Sequence, residues 1–425
     1  MSAPQLQRFA DAHRAWVEGI FSDIRALSAS PAPRRGVTRL GYTEKESEVM
    51  AALEGLGRGM DLEISRDPAG NLWMTLPGED RTLPGIVAGS HADSVYDGGN
   101  YDGLAGIAAA LCAVRNMKLE GVTPKRDVSV VVLRAEEQGL IGSKGMMGRL
   151  TAGDLGQRWR PGMPTLRELL EKEGLDPAAL SGGRPLVDPK RIGAFFELHI
   201  EQGLRLCQPG GPRVALVTGI RGLGFQRVVR VTGEAGHAGA IDFEFRHDPL
   251  VAASRLIAHM YERWAERVAR GEDLVFTTGM FNTPPTAIFN KIPQYVEFSL
   301  DFRTLDRSVR DSFFAEMKAE AARLEAIHGV TFDFGEPGFL EPMKSDPALL
   351  KRLDAAAASL GIPILYEPSG AGHDAQTFGL EGIKFAMLFV ANQNGSHNPD
   401  EAMRTDDFLA AAAVLAKAIR DFDAQ

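Results

Sequence analysis

A mainly parallel α/β domain covered by helices, interrupted by a smaller α+β domain, is the fold this sequence predicts. Three observations carry that expectation. Several apolar runs are continuous and rich in β-branched residues, the pattern of strands buried on both faces. These runs are interspersed with helical patterns in the first half of the chain and again near its end. Between those parts the strands alternate apolar with polar residues, as a sheet with one covered face does. At 425 residues the chain also exceeds what one hydrophobic core usually supports, so two domains are expected.

The elements follow in order. Met1–Phe21 reads as an amphipathic helix, with Arg8, Asp11, Arg14 and Glu18 at intervals of three or four, and it lacks the apolar stretch of a secretory signal. Gly85–Gly89 (GIVAG) is a strand, Ser90–Asp102 a loop and Leu104–Met117 a helix. Asp127–Leu133 (DVSVVVL) and Ile192–Leu198 (IGAFFEL) are further buried strands. The pattern then changes. Gln226–Thr232 alternates, Pro249–Arg270 is a long helix, and Tyr295–Arg303 (YVEFSLDFR) alternates strictly. Ser308–His328 is a second helix and Thr331–Phe334 a short last strand. An antiparallel sheet with two helices is therefore expected as an insert over 220–338, with 1–219 and 339–425 forming the main domain. Leu349–Leu360 is again helical, Ile383–Val390 a buried strand and Asp406–Phe422 the last helix.

Composition is that of an ordinary globular protein, 44% hydrophobic and 24% charged. A net charge of −9 with no Lys/Arg block argues against nucleic acid or an anionic membrane as partner. No stretch approaches the roughly 18 apolar residues of a membrane span. Two cysteines, Cys112 on an apolar helix face and Cys207, make no disulfide framework and fit a reducing compartment, so a cytoplasmic protein is expected.

Candidate chemistry gathers where apolar strands end. His91-Ala-Asp93 and Gly98-Gly-Asn-Tyr-Asp102-Gly103 lie just after the first parallel strand, where open α/β sheets bind ligands. The same residues also read as an Asp/Gly-rich turn with an incidental histidine. Glu136-Glu137 follows the next strand. Adjacent carboxylates there point in different directions, so one can bind metal while its neighbour handles protons. His199 ends a third strand and His397 follows a fourth. Three imidazoles and two carboxylates suit Zn, Mn, Co or Ni better than Ca or Mg, and no cysteine takes part. In the insert, Gly236-His237-Ala-Gly follows one strand, and Asn290-Lys-Ile-Pro precedes another that ends in Asp301-Phe-Arg303. Arg303 is a natural bidentate partner for a substrate carboxylate, and equally for Asp301 or Asp306 on the sheet surface. Ser369-Gly370-Ala-Gly-His373-Asp374 is a glycine-rich loop able to approach a ligand, without the lysine of a phosphate loop.

Together these segments resemble the two-metal M20-type amidohydrolases, and within them the hydantoinase/carbamoylase group: N-carbamoyl-L-amino acid hydrolases, β-ureidopropionases and allantoate amidohydrolases. The resemblance spans nearly the whole chain and rests on GSHADSVYDGGNYDG (Gly89–Gly103), AEEQG (Ala135–Gly139), ELHIEQG (Glu197–Gly203), GEAGHAG (Gly233–Gly239), NKIP with LDFR, SGAGHDA (Ser369–Ala375) and NGSHNPDE (Asn394–Glu401). It implies two divalent cations bridged by Asp102, one also on His91 and His199, the other on Glu137 and His397. It further implies Glu136 as general base toward a metal-bridging water, Asp93 as orienting partner of His91, and His237 as oxyanion stabiliser. Asn290 and Arg303 would hold a substrate carboxylate, Gln202, Gly370 and His373 would line the pocket, and the insert would make a homodimer.

Two segments depart from the family pattern. Gln138-Gly-Leu-Ile141 leads almost at once to Gly142-Ser-Lys144, where many relatives carry a longer loop, and Ala240-Ile-Asp-Phe243 replaces a Thr-Thr-Pro-Met stretch. The expected activity is hydrolysis of an N-carbamoyl (ureido) group, the alternative being hydrolysis of an N-acyl amino acid or dipeptide at the same metals. A metal-stabilised dimeric scaffold without activity is the non-enzymatic reading, and the intact set of ligands and base argues against it.

Overall fold

The computed structural model describes residues 3–424. The first two residues of the expected N-terminal helix, and Gln425 of the main domain, lie outside the described residues. The chain divides into two compact units: a larger one that runs to Gly219 and resumes at Ser345, and a smaller one over Ile220–Lys344. The second boundary lies beyond the expected 338, because Gly338–Leu340 forms a strand on Gly222–Thr232, with Phe339 opposite Gly224.

The sheet of the larger unit has a parallel centre. Seven of its strands run in the order Glu63–Arg66, Leu72–Leu76, Val128–Leu133, Gly85–His91, Ile192–Ile200, Phe385–Val390, Val214–Ile220. The four strands from Val128–Leu133 to Phe385–Val390 are parallel, whereas Leu72–Leu76 and Val214–Ile220 join them antiparallel. Every residue of Val128–Leu133 and of Phe385–Val390 is buried, which accounts for their unbroken apolar runs. Consecutive residues of a strand face opposite ways, and both faces here are covered. Phe195 stacks on Phe378 at 3.8 Å between ring centroids, while Phe196 meets Phe422 of the last helix edge-on.

One core joins the helices Ala3–Ser28, Glu44–Gly59, Leu104–Leu119, Pro347–Leu360 and Thr405–Asp423 to that sheet. Leu104–Leu119 packs directly against the strands Gly85–His91 and Ile192–Ile200. A Cβ on Gly106 would fall 2.3 Å from the Leu198 carbonyl oxygen and 2.6 Å from Ser90 Cβ, so only glycine admits this contact. Cys112 is buried in the same helix. The helix Glu44–Gly59, the antiparallel flanking strands and the short helices between Ile141 and Leu180 were not expected from sequence. Glu63–Arg66, for example, is polar and largely exposed, so burial leaves no apolar mark on it.

The smaller unit pairs Phe281–Asn282, Tyr295–Thr304, Gly222–Thr232 and Thr331–Asp333 in that order, all antiparallel. Tyr295–Thr304 alternates half-buried with buried positions along its whole length. Its inward residues Val296, Phe298, Leu300 and Phe302 share a core with the helices Pro249–Ala269 and Arg307–His328. Asp248 and Asp306 cap those helices, accepting from the backbone N–H groups of Leu250 and Ser308. Among the described residues no helix is long and apolar enough to cross a membrane.

Candidate active site

The strand order brings the expected donors to one edge. His91 is the last residue of Gly85–His91 and His199 the last but one of Ile192–Ile200. Glu136 and Glu137 follow Val128–Leu133, and His397 lies in the loop beyond Phe385–Val390. In register, His91 stands opposite Leu133 and Phe389 opposite His199, so all sit at carboxyl ends of neighbouring parallel strands. Asp102 arrives from the loop before Leu104–Leu119. There Gly103 adopts φ +67°, and a Cβ on it would lie 2.5 Å from His91 Nδ1, so glycine alone lets that turn close over the histidine.

Donor atoms of His91, Asp102 and His199 lie within 4.8 Å of one another, as do those of Asp102, Glu137 and His397. His199 Nε2 is 3.0 Å and His91 Nε2 3.5 Å from Asp102 Oδ1. His397 Nε2 is 3.1 Å from Glu137 Oε2 and 3.4 Å from Asp102 Oδ2. The far side of each inner ring assigns its proton. His199 Nδ1 lies 2.8 Å from the Ile200 carbonyl oxygen, and His91 Nδ1 3.3 Å from both the Asp93 carboxylate and its carbonyl. Each Nδ1 therefore donates, which turns both Nε2 atoms, 3.4 Å apart, toward Asp102, each able to carry a proton or bind a cation. Asp102 Oδ1 and Glu137 Oε1 are buried and accept no hydrogen bond among the described residues. Nitrogen and carboxylate donors converging this closely need positive charge among them, from protons on the rings or from a cation, and the residues present fit divalent metal.

The charge balance agrees. Burial alone would lower the His91 pKa, yet Glu136, Asp102 and Asp93 hold it well above the ordinary value. Burial likewise opposes the rise at His199, which Asp102 produces. Hydrogen bonds to Asp102 and Glu137 push His397 up to about 10. Burial works against Asp102 ionising, but His199, His397 and His91 bring it well below the usual carboxylate range. Burial, with neighbouring carboxylates, raises Glu136 and Glu137. The site attracts positive charge from whatever group can supply it.

Residues 75–421 match the sequence profile of the peptidase family M20/M25/M40. The chain belongs to that family. It is 33% identical over 395 residues to an N-carbamoyl-L-amino acid amidohydrolase of Geobacillus stearothermophilus, covering 90% of this chain and 92% of that one. It is 32% identical over 374 residues to an allantoate amidohydrolase of Bacillus subtilis (strain 168), covering 86% and 88%. Its fold superposes on a hydantoinase/carbamoylase family amidase of Burkholderia multivorans with a TM-score of 0.85, at 27% identity over 97% of this chain and 98% of that one. Members of the M20 family depend on metal, and the cluster here is able to hold it.

Around the M20 cluster, further side chains hold the loops in place. Asp93 accepts from the backbone N–H groups of Glu136 (2.9 Å) and Glu137 (3.2 Å), one on each carboxylate oxygen, while facing His91. Arg39, fully buried, donates through Nε to the Ala92 carbonyl at 2.6 Å and through Nη2 to the Asn100 carbonyl at 3.2 Å. It thereby clamps both ends of the loop between His91 and Asp102. Glu46, also fully buried, accepts from Ala135 N at 2.9 Å and from Arg134 Nε at 2.6 Å. Ala135 has φ +52°, a conformation costing a non-glycine residue about 1–3 kcal/mol, and Glu46 holds it there immediately before Glu136. Neither Arg39 nor Glu46 was singled out from sequence.

Of the expected pocket residues, Gln202 donates through Nε2 to Asp102 Oδ2 at 2.9 Å. His373 is buried edge-on to His199, 4.5 Å between centroids, with Nε2 2.8 Å from Ser369 Oγ. Gly370 is exposed in the same loop. His237, Asn290 and Arg303 belong to the smaller unit. His237 and Asn290 are both exposed; His237 stands opposite Lys291 in a two-strand ladder, and Ala238 N donates to the Asn290 carbonyl at 3.0 Å just before it. Arg303 forms the sheet-surface pair with Asp301, Nε to Oδ1 and Nη2 to Oδ2, both at 2.8 Å.

Replacing Glu46 with Ala strips the buried Arg134 of its nearest carboxylate and orphans Ala135 N. Loss of one partner of a buried pair costs about 3–5 kcal/mol, and the lower end applies because Glu173 still reaches Arg134 Nη1 at 3.1 Å. Urea unfolding of Glu46→Ala should show a clear drop in midpoint; an unchanged midpoint would remove Glu46 from this role.

Proposed function

We propose that this chain hydrolyses a C–N bond of an N-carbamoyl (ureido) amino-acid-like substrate carrying a carboxylate, releasing ammonia, carbon dioxide and the free amine. The observation that carries the reading is the convergence of the His91, His199 and His397 nitrogens and the Glu137 carboxylate on Asp102, in a chain related over most of its length to amidohydrolases of N-carbamoyl amino acids and allantoate. His91, Asp102 and His199 would hold one divalent cation, and Asp102, Glu137 and His397 a second, with Zn, Mn, Co or Ni suited to these donors. When bound, such ions supply Lewis-acid charge that polarises the ureido carbonyl and eases loss of a proton from water.

The remaining chemistry belongs to side chains. Glu136 lies 3.8 Å from His91 Nε2 and outside both donor groups. It takes a proton from the attacking water and returns it to the leaving nitrogen. Asp93 keeps that carboxylate in place through the two backbone N–H groups and fixes the His91 tautomer. Gln202, Gly370 and His373 line the pocket around the scissile group. From the smaller unit, His237 donates to the oxygen that gains charge at the tetrahedral stage. Asn290 and Arg303 bind the substrate carboxylate, for which Arg303 exchanges Asp301 for the incoming acid.

The protein is further proposed to be a homodimer of a reducing, cytoplasmic compartment. Both cysteines are free. The short strand Phe281–Asn282 stands at the edge of the smaller unit's sheet, beside an open groove of about 530 Å³ lined by Ile257, Tyr261 and Phe281. Unpaired edges next to exposed apolar side chains are where chains associate. Sedimentation should give a dimer, and a monomer at micromolar concentration would contradict this assembly.

The activity is tested on metal-reconstituted enzyme with N-carbamoyl-L-amino acids, N-carbamoyl-β-alanine, allantoate, N-acyl amino acids and dipeptides, following ammonia and amine separately. Ammonia from the ureido compounds is expected. Amine without ammonia, from acyl or peptide substrates, would place the chain in amide hydrolysis instead. Glu136→Gln should lose about 10²–10⁴-fold in turnover while keeping its metal, and turnover that survived with metal bound would remove Glu136 as the base.

A further inference from the structure

Glu401 belongs to neither donor group, yet it joins the two loops that supply Asp102 and His397. Its side chain is buried. Oε1 accepts from Tyr101 N at 2.8 Å and Asp102 N at 3.3 Å. Oε2 lies 2.7 Å from Ser396 Oγ, which is itself 2.6 Å from Asp102 Oδ2. A closed ring therefore runs from the Asp102 backbone through Glu401 and Ser396 to the Asp102 carboxylate, and Ser396 immediately precedes His397. The space is kept for it: a Cβ on Gly99 would fall 2.0 Å from Glu401 Cδ.

The two donor groups differ in how they are built. His91 and His199 are buried and carried on strands whose ladders fix them. The His397 ring is half exposed, and its residue has φ +59° in a loop beyond the last parallel strand. That loop is closed on itself by the bridge between Gln393 and Ala402, and by Asn394 Nδ2 donating to the Asp400 carbonyl at 2.6 Å. These bonds shape the loop without placing it against Asp102. The Glu401–Ser396 link does place it.

We propose that Glu401, acting through Ser396, is a positioning residue that sets how tightly the Asp102–Glu137–His397 group holds its cation, with a lesser effect on the His91–Asp102–His199 group. The proposal rests on the two-cation reading of the site. Loss of such an outer partner weakens metal binding by about 10–100-fold. An amide can replace this carboxylate, because its oxygen accepts both backbone N–H groups and its nitrogen donates to Ser396 Oγ, whose own proton goes to Asp102.

The experiment is competitive titration of the metal-free full-length chain with Zn²⁺ against a chromogenic chelator, which needs no substrate. The wild-type chain should take up two equivalents. Glu401→Ala and Ser396→Ala should each weaken one equivalent by about 10–100-fold and move the other less, while Glu401→Gln stays near wild type. Ser396→Ala removes only a hydroxyl, so it carries the test if Glu401→Ala does not fold. Two unaltered equivalents in a folded Ala variant would overturn the proposal. So would a Glu401→Gln as impaired as the alanine, since charge rather than the bridge would then decide. Fewer than two equivalents in the wild-type chain would overturn the two-cation reading itself, and the proposal with it.

Discussion

Asp102 offers both carboxylate oxygens to three imidazole nitrogens, and the two inner rings turn their Nδ1 atoms to other acceptors. Such a cluster repels itself unless positive charge enters it. Most of the surrounding structure follows from that constraint. The carboxyl ends of parallel strands bring His91 and His199 together with few degrees of freedom. Glycine at 103 lets the turn carrying Asp102 close over His91. Asp93 places both carboxylate oxygens on the backbone of Glu136 and Glu137, so one side chain orders His91 and the paired acids at once.

The surplus of buried negative charge also explains the helpers behind the cluster. Arg39 is fully buried and ties the loop between His91 and Asp102 through carbonyl oxygens rather than a carboxylate. Asp93, Glu401, Asp102 and Glu137 favour its charged form against the cost of burial, which lowers its pKa. Arg134 and Glu46 form a buried pair directly behind the Glu136 turn. Pairs of this kind add little net stability over apolar packing, but they define one arrangement of the chain. The base and ligand roles proposed for the adjacent Glu136 and Glu137 need that definition.

Much of this was legible in the sequence, for physical reasons. Parallel strands buried on both faces read as unbroken apolar runs, so the polar residue that ends each run stands out, and His91, Glu136, Glu137, His199 and His397 were found that way. Strict alternation in Tyr295–Arg303 likewise exposed the second sheet. The resemblance to M20 amidohydrolases then assigned roles that spacing alone left open. What stayed hidden depends on partners distant in the chain. Glu46 sits in an acidic helical segment and acts on Ala135, 89 residues away, while Arg39 acts on Ala92, 53 residues away. Glu401 falls within the NPDE segment, but its partners Tyr101 and Asp102 lie about 300 residues earlier. Arg303 shows the converse case: both a substrate carboxylate and Asp301 were open from sequence, and in the structure it pairs with Asp301.

The central claim is that this edge of the parallel sheet is built to hold two cations around Asp102. Anomalous diffraction from crystals of the metal-reconstituted chain tests it most directly. The account predicts two peaks per chain, one among His91, Asp102 and His199 and one among Asp102, Glu137 and His397. No peak at these side chains, or metal bound elsewhere with the cluster unchanged, would contradict it.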